Sequence, residues 1–224
     1  MRVTIALALV LAVAAAATPA AASRQARVRE LAGSGDYSDS LARSDGKPGA
    51  QVYSSQHFEW AIAPGSRRRA LGLKRHGVTS VSVPLQMHVV SSGGGVYMDF
   101  VGSTPKEVSY TCSAESTYRT RVSLQATPAP GGRWSVRMGP LEPLQTGTPE
   151  CTDSYAQDYF SWGTGGDWFV DQSTAVAPLP RGKRRKVKLV FANDPVAQDC
   201  TEVPGITPAC TQDLAWTATA RLIR

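Results

Sequence analysis

The 224-residue chain contains a single asparagine and only three histidines, and their placement removes several functions at the outset. Asn193 is followed by Asp-Pro, so no N-glycosylation acceptor is present. His57, His76 and His88 belong to no H-E-x-x-H motif, and no G-x-S-x-G accompanies them, so the chain carries no standard hydrolase signature. No C-x-x-C occurs, and the four cysteines lie far in sequence from the histidines, which argues against zinc. Beyond residue 22 no apolar run approaches the ~18 to 20 residues of a spanning helix. The chain ends Ala-Arg-Leu-Ile-Arg, without an apolar tail, so no C-terminal anchor is expected.

The one long apolar stretch is at the start. Arg2 supplies a positive n-region, Val3 to Ala17 an apolar h-region, and Ala20-Ala21-Ala22 a small-residue cleavage site. This pattern predicts a signal peptide over 1–22, a secreted or extracytoplasmic protein beginning at Ser23, and no transmembrane segment in the mature chain. No cysteine stands at the cleavage point, so a lipid anchor is not expected. Cys112, Cys151, Cys200 and Cys210 are an even number in an exported chain and read as two disulfides. Loop length favours Cys112 with Cys151 and Cys200 with Cys210, worth about 4 and about 3 kcal/mol on the loop-entropy account.

The formal charge is +6, from 24 Lys and Arg against 18 Asp and Glu. Such a balance suits an anionic envelope polymer as well as plain solubility, and nucleic acid is not an expected partner outside a cell. Oligomeric state is not legible.

Residues 23–50 are rich in Arg, Ser, Asp and Gly and read as a flexible N-terminal spacer, disordered in the free chain. From Gln51 the texture changes to short alternating segments punctuated by Gly and Pro. In Val52 to Ile62, Phe58, Trp60 and Ile62 fall on one face, with Tyr53, Ser55, His57 and Glu59 on the other. Val81, Val83, Leu85, Met87 and Val89 alternate likewise. A turn at Ser91 to Gly94 would fold Val96 to Val101 back on that strand, with Met98 and Phe100 beside Met87 and Leu85. Further strands are expected at Glu107 to Ala114, Tyr118 to Ala126, Arg133 to Met138, Tyr155 to Trp162, Trp168 to Gln172, Lys186 to Ala192 and Leu214 to Ile223. About ten strands without a long helix predict an all-β domain over 51–224, a sandwich or a barrel; irregular strand spacing favours a mainly antiparallel β-sandwich of immunoglobulin-like or jelly-roll-like type.

Tyr155 to Phe169 gathers six aromatic rings within 15 residues, interleaved with Asp158 and Asp167. If GTGG at 163–166 is a turn, Tyr159, Phe169, Asp167 and Asp171 share one face. Rings offer flat apolar area to pyranose faces, and carboxylates accept hydrogen bonds from hydroxyls, so these four are the candidate glycan-binding residues. The ordinary alternative is an aromatic strand pair filling a core. Asp153, Asp158, Asp167 and Asp171 match no Ca²⁺ loop, and no cofactor or metal is expected. RGKRRK at 181–186, together with SRRR at 66–69 and LKRH at 73–76, would meet an anionic polymer or simply blunt a sheet edge. For catalysis, the proposed turn sets His88 near Asp99 and opposite Tyr97, while His57 shares a face with Glu59. The reading is a binding domain for extracellular or envelope glycans without catalysis. Its alternatives are a secreted hydrolase using His88 and Asp99 or a carboxylate pair, and a purely structural or assembly domain.

Overall fold

The computed structural model describes residues 24–43, 51–73, 77–101, 103–141, 147–154, 173–178, 186–193, 196–199 and 208–223. The strands are β1 (Arg24–Arg43), β2 (Gln51–Ile62), β3 (Arg69–Leu73), β4 (Thr79–Val101), β5 (Thr104–Ala129), β6 (Arg133–Met138), β7 (Glu150–Cys151), β8 (Ser173–Pro178), β9 (Lys186–Ala192), β10 (Val196–Asp199) and β11 (Pro208–Ile223). The protein is all-β, as composition predicts, and every strand pair is antiparallel. Among the described residues no helix is long and apolar enough to cross a membrane.

The strands form one sheet where two stacked sheets were expected. Its order is β10-β11-β1-β2-β4-β5-β6-β8, with β9 also on β11, β3 on β1 and β7 on β5. The sheet curls until β8 returns to β9. There the Ser173 hydroxyl donates to the Ala192 carbonyl (2.8 Å) and accepts from its N–H (3.3 Å), leaving a nearly closed, barrel-like shape. The departure from a sandwich follows from strand length. β1, β4 and β5 run 20, 23 and 26 residues, long enough for each to bend around the core instead of ending at a corner.

The expected turn at Ser91 to Gly94 is a correction of this kind. β4 passes through it unbroken, and the β4–β5 hairpin turns after Val101, pairing Val101 with Thr104 and Thr79 with Ala126. Met98 and Phe100 therefore lie opposite Glu107 and Pro105, not near Met87 and Leu85. Glu107 to Ala114 and Tyr118 to Ala126 likewise belong to the single strand β5. The glycines serve rings: a Cβ on Gly94 would meet the Tyr53 hydroxyl at 2.8 Å, and one on Gly95 would meet the Tyr110 hydroxyl at 2.8 Å. The two tyrosines lie against the sheet where it has no side chains.

The second correction is the N-terminal spacer. Arg24–Arg43 is not disordered but runs through the middle of the sheet, paired with β11 from Arg27–Ile223 to Arg43–Pro208 and with β2 from Ala32–Ala61 to Leu41–Val52. The sheet thus includes β1, upstream of the expected start at residue 51. Ala26, Val28, Leu31 and Tyr37 point into the core, and a bulge between Val28 and Glu30 resets the alternation. Gly33 and Gly35 occupy inward positions between them. Trp60 lies over Gly33, and Phe58 and Trp216 over Gly35. Phe58 and Trp60 stack at 5.8 Å with planes 13° apart, and Trp216 tilts against Trp60 at 6.1 Å.

The remaining strands follow the sequence pattern. Val83, Leu85, Met87 and Val89 of β4, Trp134, Val136 and Met138 of β6, Val187, Leu189 and Phe191 of β9, and Trp216, Ala218, Ala220 and Leu222 of β11 are buried in one continuous core. β9 and β11 pair as the expected last hairpin, from Ala192–Thr217 to Lys186–Ile223. Asn193 extends that pairing with its side chain, donating to the Leu214 carbonyl (2.8 Å) and accepting from the Trp216 N–H (2.7 Å). The Cys112–Cys151 disulfide, favoured from loop length, joins β5 to β7. Cys200, and with it the expected bridge to Cys210, lies outside the described residues, as do 1–22 and the expected strands at 155–162 and 168–172.

Gly35→Ala is expected to destabilise the fold by about 2 to 3 kcal/mol, because the new Cβ meets Trp216 Cβ at 2.6 Å and the Ala215 carbonyl at 2.7 Å. Gly72→Ala, whose Cβ finds Thr79 at an ordinary 3.6 Å, serves as the control and should be near neutral. Urea unfolding of the two variants beside the wild type measures the difference.

Candidate ligand-binding face

Side chains alternate across a strand, so the residues between the buried ones in β11, β1, β2, β4 and β5 form an outer face ruled by register. One row crosses it as Thr217, Ser34, Glu59, His88 and Thr117. The next is Ala215, Asp36, His57, Val90 and Glu115, and the third is Asp213, Ser38, Ser55, Ser92 and Ser113. Rows repeat every ~6.6 Å along the strands and strands every ~4.8 Å. Most of these side chains are short, while the charged ones reach outward.

The relief this creates is two hollows in succession. One, of about 620 Å³, lies over Ala32, Ser34, Ala61, Thr217 and Thr219 and is edged by Glu59 and His88. The other, of about 320 Å³, lies over Ser38, Ser55 and Ser92, edged by Asp36, His57 and Asp213. Its floor is tied together by a 2.9 Å hydrogen bond between the Ser55 and Ser92 hydroxyls.

His57 stands between the hollows. Its Nδ1 is 2.7 Å from Asp36 Oδ1, directly across the β1–β2 pair, and its Nε2 is 3.5 Å from Glu59 Oε1, two residues along the same face. The hydrogen bond to Asp36 holds the imidazole above its ordinary pKa, burial opposes this weakly, and Glu59 adds to the rise. His57 is thus kept protonated to higher pH than a free imidazole. The stability this confers is complete below the ordinary value near 6.5 and is lost as pH rises through the shifted one. His88 Nε2 meets Glu115 Oε1 at 2.9 Å, a diagonal contact across β4 and β5.

This geometry rearranges the candidates taken from sequence. His57 and Glu59 do share a face and touch. His88 and Asp99 do not meet: they sit eleven positions apart on one strand, roughly 36 Å, because the turn expected between them is absent. Asp99 lies opposite Lys106, and Tyr97 packs on Tyr110 at 6.1 Å instead of facing His88. Tyr159, Asp167, Phe169 and Asp171 lie outside the described residues, as do Arg181 to Arg185 and residues 74–76. Arg67, Arg68 and Arg69 are exposed before and at the start of β3, away from both hollows. Asp36 and Glu115 were not singled out by sequence. Their roles depend on pairings 21 and 27 residues long in sequence, which only the register reveals.

On this face His57 meets Asp36 and Glu59, and His88 meets Glu115 through its Nε2. No group of three His, Cys, Asp or Glu among the described residues converges as a metal site would.

Beneath the second and third rows the inner face also turns polar. Tyr37, Ser54, Gln56 and Ser91 are buried there, in place of the leucines and rings below them. Asp39 accepts hydrogen bonds from the Ser54 hydroxyl (2.6 Å) and the Tyr37 hydroxyl (3.2 Å). Burial raises the Asp39 carboxyl above its ordinary value, and the two hydroxyls offset this only in part. Burial first, and the neighbouring Asp39 charge second, push the Tyr37 phenol upward.

No protein-family model matches the chain, and comparison with curated proteins finds no match.

Because folded Asp39 holds its proton more tightly than the unfolded chain does, its contribution to stability falls as pH rises from about 3.8 through the raised value, and stays lowered at neutral pH. Asp39→Asn, which keeps an acceptor for Ser54, is therefore expected to leave the melting temperature at pH 7 unchanged or higher and to flatten its dependence on pH above 4. A loss of several degrees at pH 7 in differential scanning calorimetry would contradict this account.

Proposed function

We propose that this chain is an exported, disulfide-containing binding module without catalytic activity, which holds a glycan of the extracellular or envelope matrix on the outer face of β11, β1, β2 and β4. The observation that carries the reading is the pair of hollows, floored by Ser, Thr and Ala and edged by Asp36, His57, Glu59 and His88. Short hydroxyls and carboxylates at fixed spacing donate to and accept from the hydroxyls of a sugar, and a rigid sheet presents them at little entropic cost. Export is supported by the leader pattern over 1–22 and fits a disulfide in the fold. The sequence reading of Tyr159, Asp167, Phe169 and Asp171 as glycan-binding residues belongs to the same proposal.

A catalytic reading has less behind it. On this face His57 is shared between Asp36 and Glu59 and His88 meets Glu115, while His88 with Asp99, one of the two combinations expected of a hydrolase, is held apart by a continuous strand.

The test is co-sedimentation of the exported protein with peptidoglycan and insoluble polysaccharides, at low and high salt. Wild type should be retained on at least one matrix at both salt levels, because hydrogen bonding and stacking are barely screened. Ser34→Trp, which fills the larger hollow from an outward position, should weaken retention at least tenfold while leaving the melting temperature unchanged. Retention indifferent to Ser34→Trp, or none on any matrix, would sink the proposal.

A further inference from the structure

The charge of the face disagrees with the charge of the chain. The protein as a whole is basic, at +6, yet neither hollow has a lysine or arginine among its lining residues. Asp36, Glu59 and Asp213 supply three carboxylates, against the two histidines, His57 and His88. His57 neutralises part of this, being shared between Asp36 and Glu59, while His88 is engaged by a further carboxylate, Glu115.

We infer that the glycan this face selects is an amino sugar polymer with free ammonium groups. The inference rests on the reading of the face as a glycan site and names the class of sugar. An anionic glycan would be brought against three exposed carboxylates with no guanidinium or ammonium lining either hollow, the arginine set nearest by register being Arg119, opposite Gln86. A neutral glycan would use the acids at the rims only as acceptors for its hydroxyls, without the charge assistance an ammonium group adds. A protonated amine beside a sugar hydroxyl uses both features at once. Its three N–H donors form charge-assisted hydrogen bonds with Glu59 or Asp36, while the ring hydroxyls meet Ser34, Ser38 and Thr217. The acids stand on both sides of the His57 row, so successive sugars along the strands would each find one. The net positive charge of the chain opposes the approach of any cation, this polymer included, so binding depends on close fit at the hollows.

Calorimetric titration of the exported protein with three tetramers of the same β-1,4 linkage separates the terms: glucosamine, N-acetylglucosamine and glucose. The glucosamine tetramer should bind at least tenfold more tightly than either of the others, and its advantage should shrink at high salt while the binding of the neutral tetramers holds. Asp36→Asn combined with Glu59→Gln, both at exposed positions, should reduce that advantage to threefold or less, the readout being the ratio of glucosamine to neutral affinity whatever becomes of neutral binding itself. Equal binding of all three tetramers to wild type would overturn the inference and leave the glycan site standing. An advantage that survives the double substitution would also overturn it, and the absence of binding by any tetramer would remove inference and site together.

Discussion

Gly33 and Gly35 lie under Trp60, Phe58 and Trp216, and the sheet can curl as it does only because those two positions have no side chains. The rings come from strands on either side of β1, so they clamp the central strand between its neighbours in space as well as by backbone hydrogen bonds. Fully burying each ring is worth about 2 to 3 kcal/mol, and mutual stacking adds a further ~0.5 to 1.5. These gains are large beside the entropic cost of two glycines in a strand, about 1 kcal/mol each. The same exchange recurs at Gly94 and Gly95, where Tyr53 lies on the outer surface and Tyr110 on the inner. One device, a bare stretch of strand covered by a neighbour's ring, thus shapes both ends of the barrel-like sheet.

That device also explains which parts of the fold were legible. Strands β2, β6, β9 and β11 could be read because their inward positions hold large apolar residues of their own: Phe58 and Trp60, Val136 and Met138, Leu189 and Phe191, Trp216 and Leu222. β1 could not, because Gly33 and Gly35 borrow their apolar cover from β2 and β11, which leaves a composition of Gly, Ser and Asp that resembles a linker. The Gly93 to Gly95 stretch misled in the same way, resembling a turn while running through the middle of β4. Taking it as a turn halved the strand length, and short strands imply two sheets where long ones wrap into one. The candidate face was half legible. His57 and Glu59 share a strand, and alternation alone put them on one side, whereas Asp36 and Glu115 belong to strands whose register no local pattern encodes.

The face gains its precision from the same rigidity. Asp36, His57 and Glu59 project from two successive outward rows of a two-strand ladder in the centre of the sheet, where neither strand is an edge. Beneath them the core is locally polar, with Asp39 held by Ser54 and Tyr37 and its charge disfavoured by burial. A sheet that gives up apolar contacts on its inner side just under an outer array of acids and hydroxyls sacrifices some stability there, as sites built for recognition commonly do.

The pairing of β1 with β11 has a temporal meaning. The described strand nearest the start of the chain sits beside the one nearest its end, over some 16 residue pairs, with β2 on the other side of β1. The centre of the sheet therefore cannot form until β11 has been made, however early β1 emerges. Until then β1 has only β2 and β3 to lean on, and Gly35 lacks the cover of Trp216. Closing that pair joins residues separated by most of the described chain, the kind of long-range contact that slows folding, while β2, β4, β5 and β6 pair with one another without it.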